Sequence, residues 1–238
     1  ANDFAKIESS YTTKSGREVK LEVYAQPSYK EGLEHAMGSL KRSMKWDEDV
    51  WNLEYDLDNY MVVVDDGFNM GAMENKGLNV FNPKYLLAHP DYSTDVDYFR
   101  VEGVIGHEYF HNWTGNRVTV SNWLELCLKE GLTVFRDQWF SSDMSDPLAV
   151  RIKAVDDLKA AQFPEDDSPM VHAPRMEEAK KMDNIYTMTV YEKGSEVNNI
   201  LKTLLGHDGF MKGAALYFER HDGQAVTVED WVQAHADA

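Results

Sequence analysis

The chain has 238 residues, one cysteine and a formal net charge of −17, from 24 Lys plus Arg against 41 Asp plus Glu. That charge argues against nucleic acid and against anionic membranes as partners, while a single cysteine forbids an internal disulfide and suits a reducing cytoplasm. With 43% hydrophobic and 12% aromatic residues it can bury the core of one large domain or two small ones.

Ala1 to Tyr11 has neither the basic start nor the apolar run of a signal peptide, and no stretch approaches the roughly 20 apolar residues that span a bilayer. The expectation is a cytoplasmic protein with no membrane partner. Glu18 to Ala25 alternates, with Val19, Leu21 and Val23 on one side, as a half-buried strand does. Glu31 to Met44 carries Leu33, Met37, Leu40 and Met44 on one helical stripe. Further strands are expected around Asn52 to Tyr55, Tyr60 to Val64 and Gly77 to Phe81. From Ser93 onward the pattern is helical. Ser93 or Thr94 can cap a helix with Asp95 and Asp97 in its first turn. Tyr98, Val101, Ile105, Tyr109 and Phe110 supply its apolar positions, and Gly115 is a natural stop. After a short connection, Asn116 to Val120, Ser121 can cap a second helix through Trp123, Leu124, Leu128, Leu132, Phe135 and Trp139. A Pro- and acid-rich loop, Phe163 to Pro174, interrupts the helical half.

The chemistry concentrates in His107-Glu108-Tyr109-Phe110-His111. Residues four apart share a helix face, so the two imidazoles can grip one metal ion. Glu108, turned about 100° around the helix, can reach a water beside that ion without ligating it, the arrangement of a zinc hydrolase with a glutamate base. Glu130, on the second helix, can supply a carboxylate to complete a three-ligand set with one open position; its competing reading is an ordinary surface carboxylate. Asp137 lies two turns beyond Glu130 and can orient one of the histidines, or else is a solvated aspartate beside Arg136. Gly71-Ala72-Met73-Glu74-Asn75 falls between two apolar strands, at or near a sheet edge that can accept an extended peptide. Glu74 there can bind a free α-amino group. Met70 and Met73 have a blander reading as core filler, and Cys127 reads as a small hydrophobe.

The run HEYFHNWTGNRV, with eighteen residues between His111 and Glu130 inside LKEGLTVFRDQ, resembles the gluzincin metallopeptidases, and within them the bacterial aminopeptidase N (alanyl aminopeptidase) family. GAMEN at 71–75 matches that family's exopeptidase signature, and YTMTVYEKG matches the segment of its catalytic tyrosine, which falls on Tyr191. Tyr186 is the nearest competitor, and the residues alone do not select among twelve tyrosines. The resemblance implies an α+β, thermolysin-like catalytic domain, a mixed β-sheet lobe (1–92, with the substrate edge strand) packed on a mainly helical lobe (93–238), with zinc in the cleft. It implies one Zn2+ per chain on His107, His111 and Glu130, with Glu108 as base and Tyr191 as hydrogen-bond donor to the reacting carbonyl. Substrate contacts would come from Met70, Gly71, Ala72, Met73, Glu74 and Asn75.

Peptides with a free N-terminus are then the expected substrates. The expected partners are the N- and C-terminal domains of a longer parent enzyme, from which this catalytic domain would be a piece. The family's second glutamate at the α-amine site has no counterpart here. Asp66-Gly67 and Gly103 stand where bulkier residues are expected in bacterial relatives, which bears on pocket shape. Two competing functions are an endopeptidase on the same scaffold, against which Glu74 argues, and a catalytically weak binding domain.

Overall fold

The computed structural model describes residues 3–179, 181 and 184–238. The chain divides into two compact units, residues 1–112 and 113–238.

Among the described residues, the first unit is a five-stranded mixed sheet with two α-helices. Its strands are β1 (Ala5–Thr12), β2 (Glu18–Ala25), β3 (Asn59–Val64), β4 (Ala72–Met73) and β5 (Leu78–Phe81), in the spatial order β1-β2-β3-β5-β4. The β2–β3 and β3–β5 pairs are parallel and the outer two pairs antiparallel. The expected alternation of β2 holds: Val19, Leu21, Val23 and Ala25 are buried. β1 was not anticipated. Its alternation is real, but it reaches only half-burial at every second residue, so an edge strand of this kind leaves a faint apolar signal.

The expected first helix starts later and runs further, as α1 (Glu34–Trp46), after a 3₁₀ turn at Pro27–Gly32. Leu33, Met37, Leu40 and Met44 are buried as the stripe requires. Asn52 to Tyr55 is not a strand. Asn52 takes a left-handed backbone (φ 56°) that closes a π-helical turn at Asp47–Trp51, and Leu53 and Tyr55 are buried anchors without a ladder. Two buried residues two apart imitate a strand without forming one. The second helix is α2 (Asp95–Phe110). Trp46 meets Phe110 with ring centroids 5.0 Å apart, and Tyr55, Tyr60 and Tyr109 form an aromatic cluster with centroids 5.2–6.1 Å apart.

The second unit contains α3 (Leu126–Met144), α4 (Pro147–Asp157), α5 (Phe163–Asp166), α6 (Gly194–His221), broken at Gly206, and α7 (Val228–Asp237). A two-stranded parallel pair joins β6 (Thr119–Val120) to β7 (Ala225–Val226). Ser121 ends this pair, its backbone N–H bonded to Val226 O at 2.8 Å, and it does not cap the next helix. Asn122 instead caps a 3₁₀ turn at Trp123–Glu125, with Trp123 exposed, and α3 begins at Leu126. Phe163 to Pro174 is not loop throughout. Its first four residues form α5, with Pro164 in the first turn, where a missing N–H is harmless. Phe135 and Phe210 (5.3 Å) and Tyr217 and Trp231 (4.8 Å) pack in the core of this unit. Among the described residues no helix is long and apolar enough to cross a membrane.

Candidate active site

The segment from His107 to His111 lies at the C-terminal end of α2. Thr94, not Ser93, caps this helix. Its hydroxyl accepts from the Asp97 N–H (3.3 Å), while the Asp97 carboxylate accepts from the Thr94 N–H (2.9 Å). This reciprocal cap satisfies donors that the first turn otherwise leaves open, and it holds the Asp97 carboxyl below the usual aspartate range. The helix stops at Phe110 rather than running on to Gly115. His111 is its C-cap (φ −59°, ψ −18°), and the side chain of Asn112 turns to Asp56 and Lys76.

The Nε2 atoms of His107 and His111 are 3.0 Å apart, and their rings stand at 85°. Two imidazole nitrogens on one tetrahedral zinc, each at about 2.0–2.1 Å, lie roughly 3.3 Å apart. The pair therefore matches the bite of a single ion with a small side-chain rotation. His107 is half-buried, His111 and Glu108 are buried. Imidazole nitrogens on a rigid helix, shielded on one side, are the donor set such an ion prefers.

The GAMEN segment reaches the same place. β4 is the edge strand, pairing Ala72 with Phe81 and Met73 with Val80, and Gly71 O accepts from the Asn82 N–H at 2.9 Å. Glu74, just beyond β4, is buried, and ligand atoms of Glu74, Glu108 and His111 all lie within 4.8 Å of one another. Gly71 and Ala72 are half-buried and Asn75 is exposed. Met70 (52% exposed) and Met73 (39%) are not core filler. Two buried carboxylates this close favour a cation between or beside them.

Tyr60, buried on β3, was legible only as a strand residue. Its hydroxyl donates to Asn79 Oδ1. Burial pushes its pKa well above the ordinary tyrosine value, and the charges of Glu108 and Glu74 push the same way. It therefore remains a neutral donor beside the two carboxylates.

The remaining expected residues lie in the second unit. Glu130, five residues into α3, is buried, and Lys129 Nζ donates to its Oε1 at 2.6 Å. It is not a surface carboxylate. Asp137 is half-buried two turns on. Its neighbour Arg136 is fully buried and donates to Thr114 Oγ1 at 3.1 Å. Tyr191 sits in a π-helical turn, Thr189–Lys193, half-buried against the cluster of Leu126, Cys127, Ile185 and Val190. Tyr186, its competitor, is exposed. Glu165 anchors the turn, accepting from the Thr189 N–H (2.7 Å) and hydroxyl (2.6 Å). Single π-helical turns are rare and are frequent at functional sites. Burial pushes the Cys127 thiol up to about 11, as a small hydrophobe's would be.

Residues 35–238 match the peptidase family M1 domain. Aminopeptidase N of Escherichia coli (strain K12) is 58% identical over 238 residues, covering 100% of this chain and 27% of that protein. Puromycin-sensitive aminopeptidase of Caenorhabditis elegans is 31% identical over 225 residues, 93% of this chain and 24% of that protein. The crystal structure of Legionella pneumophila aminopeptidase A in complex with aspartic acid superposes with a TM-score of 0.90 at 35% identity, over 100% of this chain and 27% of that one. The chain thus spans 27–28% of the length of the aminopeptidase N proteins it matches. With 204 of its residues (35–238) inside the matched domain, the chain belongs to peptidase family M1.

Proposed function

We propose that this chain carries a zinc aminopeptidase site, one ion per chain, that releases the N-terminal residue of peptides bearing a free α-amine. The observation that carries the reading is the gathering of Glu74 with Glu108 and His111 within 4.8 Å, with His107 Nε2 3.0 Å from that of His111. His107 and His111 would hold the ion with Glu130, whose carboxylate is buried and already engaged by a cation, Lys129. What a bound ion supplies is Lewis acidity toward a water and a peptide carbonyl.

The protein's own groups do the rest. Glu108 takes a proton from the attacking water and returns it to the leaving amine. Glu74 accepts the substrate's α-ammonium in a charge-assisted contact that an internal peptide cannot make. The exposed side of β4, at the sheet edge, pairs with an extended substrate through the Gly71 and Ala72 backbone, and Met70 and Met73 face the first side chain, with Asn75 closing the turn. The Tyr191 phenol donates to the former carbonyl oxygen as charge develops there, a contact worth more in the transition state than in the ground state. Asp137 orients one of the histidines. The burial of Glu74 beside Glu108 favours exopeptidase over endopeptidase action.

Metal analysis of dialysed protein tests the ligand set. One zinc per chain is expected in the parent and in Glu74→Gln, and a large loss in His111→Ala and Glu130→Ala, because three ligands leave no redundancy. Full occupancy in either of the last two would overturn the assignment.

A further inference from the structure

The turn that carries Glu74 is tied to the end of α2 by side chains that none of the roles above uses. Lys76, two residues after Glu74, sends its ammonium to Asp56 Oδ1 at 2.6 Å and to Asn112 Oδ1 at 2.6 Å. Asn112 Nδ2 donates to the same Asp56 oxygen at 3.1 Å. Three side chains therefore close a ring: ammonium to carboxylate, ammonium to amide oxygen, amide N–H to carboxylate. Asn112 is buried and directly follows His111. Its backbone N–H bonds to Tyr109 O at 2.9 Å where the helix ends. The ammonium also lies 5.7 Å from the centre of the Tyr55 ring.

The other end of the turn is held by the sheet. Asn79, buried on β5, donates from Nδ2 to Asn75 O at 3.1 Å, while its Oδ1 accepts from Tyr60. Gly77, at φ 78°, lets the chain reverse between them, with Leu78 N–H on Asn75 O at 2.9 Å. Glu74 is thus at the head of a turn pinned to β5 through Asn75 and to the metal-bearing end of α2 through Lys76. Charge-assisted contacts are the stronger class of hydrogen bond, and a closed ring fixes geometry better than a single contact.

We propose that Lys76, with Asp56 and Asn112, is a positioning residue that sets where the substrate's α-ammonium on Glu74 sits relative to His111 and Glu108. The proposal rests on the aminopeptidase reading above. A neutral side chain at 76 removes the ammonium's contacts with Asp56 and Asn112 that tie the turn to the end of α2, so Glu74 keeps its neighbours but its register against α2 loosens. An arginine keeps both the charge and the donors. The damage should therefore fall on recognition of the amine rather than on metal binding or proton transfer.

The test compares Lys76→Met, Lys76→Arg and the near-isosteric Asp56→Asn with the parent and with Glu74→Gln. The readouts are zinc content, melting temperature, kcat and KM for alanine amide and N-acetylalanine amide, and the Kd of L-alanine by calorimetry. Lys76→Met should keep its zinc, raise KM and the L-alanine Kd about ten-fold, change kcat by less than about three-fold, and narrow the preference for the free amine. Lys76→Arg should recover most of this, and Asp56→Asn should show the same pattern at about a third of the size. If Lys76→Met does not fold, Asp56→Asn decides. Unchanged KM, Kd and selectivity while Glu74→Gln alters them would overturn the positioning role alone; so would a fall in kcat by itself, or no recovery in a folded Lys76→Arg. If Glu74→Gln alters nothing, the aminopeptidase reading of Glu74 is what fails.

Discussion

Substituting alanine at Gly131 and at Gly38, each inside a helix, is expected to change stability in opposite directions. A Cβ on Gly131 would lie 2.8 Å from the Cα and carbonyl carbon of Gly194 and 3.1 Å from Val190 O. Carbon atoms in contact prefer about 3.5–4.0 Å, so α3 and the turn carrying Tyr191 would have to part by roughly 0.7–1.2 Å. The obstructing atoms are backbone, and no rotamer relieves them. Overpacking of this kind costs about 1–3 kcal/mol; alanine's helix preference over glycine returns about 1 kcal/mol. With nothing able to yield, the upper half of that range, about 2–3 kcal/mol, applies, and the net loss should be about 1–2 kcal/mol. At Gly38 the nearest atom is the Arg42 guanidinium Nη1 at 3.1 Å, the far end of a flexible side chain. There the helix preference should dominate, and Gly38→Ala should gain up to about 1 kcal/mol. Urea unfolding followed by far-UV circular dichroism measures both. A Gly131→Ala protein as stable as its parent would refute the close approach of α3 to Gly194.

Three other outcomes follow from the same geometry. Thr94→Ala removes the reciprocal cap of α2 and should cost about 1 kcal/mol near neutral pH. Because Asp97 is held below its ordinary pKa in the folded protein, its contribution is present above the unfolded aspartate value, about 3.9. It is lost as pH falls through the lowered folded value, so the Thr94→Ala penalty should shrink in urea titrations at pH 3; a penalty independent of pH would contradict this role. Cys127, with its thiol pushed up from 9.0 to about 11, should carry a thiolate fraction roughly a hundred-fold below that of an ordinary cysteine. Iodoacetamide should label it slowly in native protein and quickly in urea, and fast native labelling would contradict its burial. Tyr191→Phe should lower kcat about a hundred- to a thousand-fold, on the order of one lost oxyanion donor, with KM near the parent's. An unchanged kcat would move the role elsewhere.

Much of the site was legible because its signals are local. Two histidines four apart and a glutamate between them need only a helix, and Thr94 with Asp97 supplies its start. The position of GAMEN at a sheet edge followed from the apolar strands around it. What escaped was set by long-range partners. β1 buries no residue fully, and Leu53 and Tyr55 mimic a strand because they anchor an irregular segment. The side chain of Asn112, just past the end of α2, turns to Asp56 and Lys76, which lie 56 and 36 residues earlier. No periodicity predicts the π-helical turn beneath Tyr191, whose anchor, Glu165, lies 24 residues earlier. Tyr60 reads as one more strand aromatic until Glu74 and Glu108 are seen to bear on it.

The central claim is that a metal site and an amine site act together on one substrate. Steady-state hydrolysis of alanine amide and N-acetylalanine amide by zinc-loaded protein, repeated after chelation and with Glu108→Gln, tests it most directly. Turnover of the free amine alone is expected, with its loss on chelation and recovery with zinc. Glu108→Gln protein should keep its zinc but be slowed by about 10²–10⁴. Equal turnover of the acetylated substrate, or full activity in chelated or Glu108→Gln protein, would contradict it.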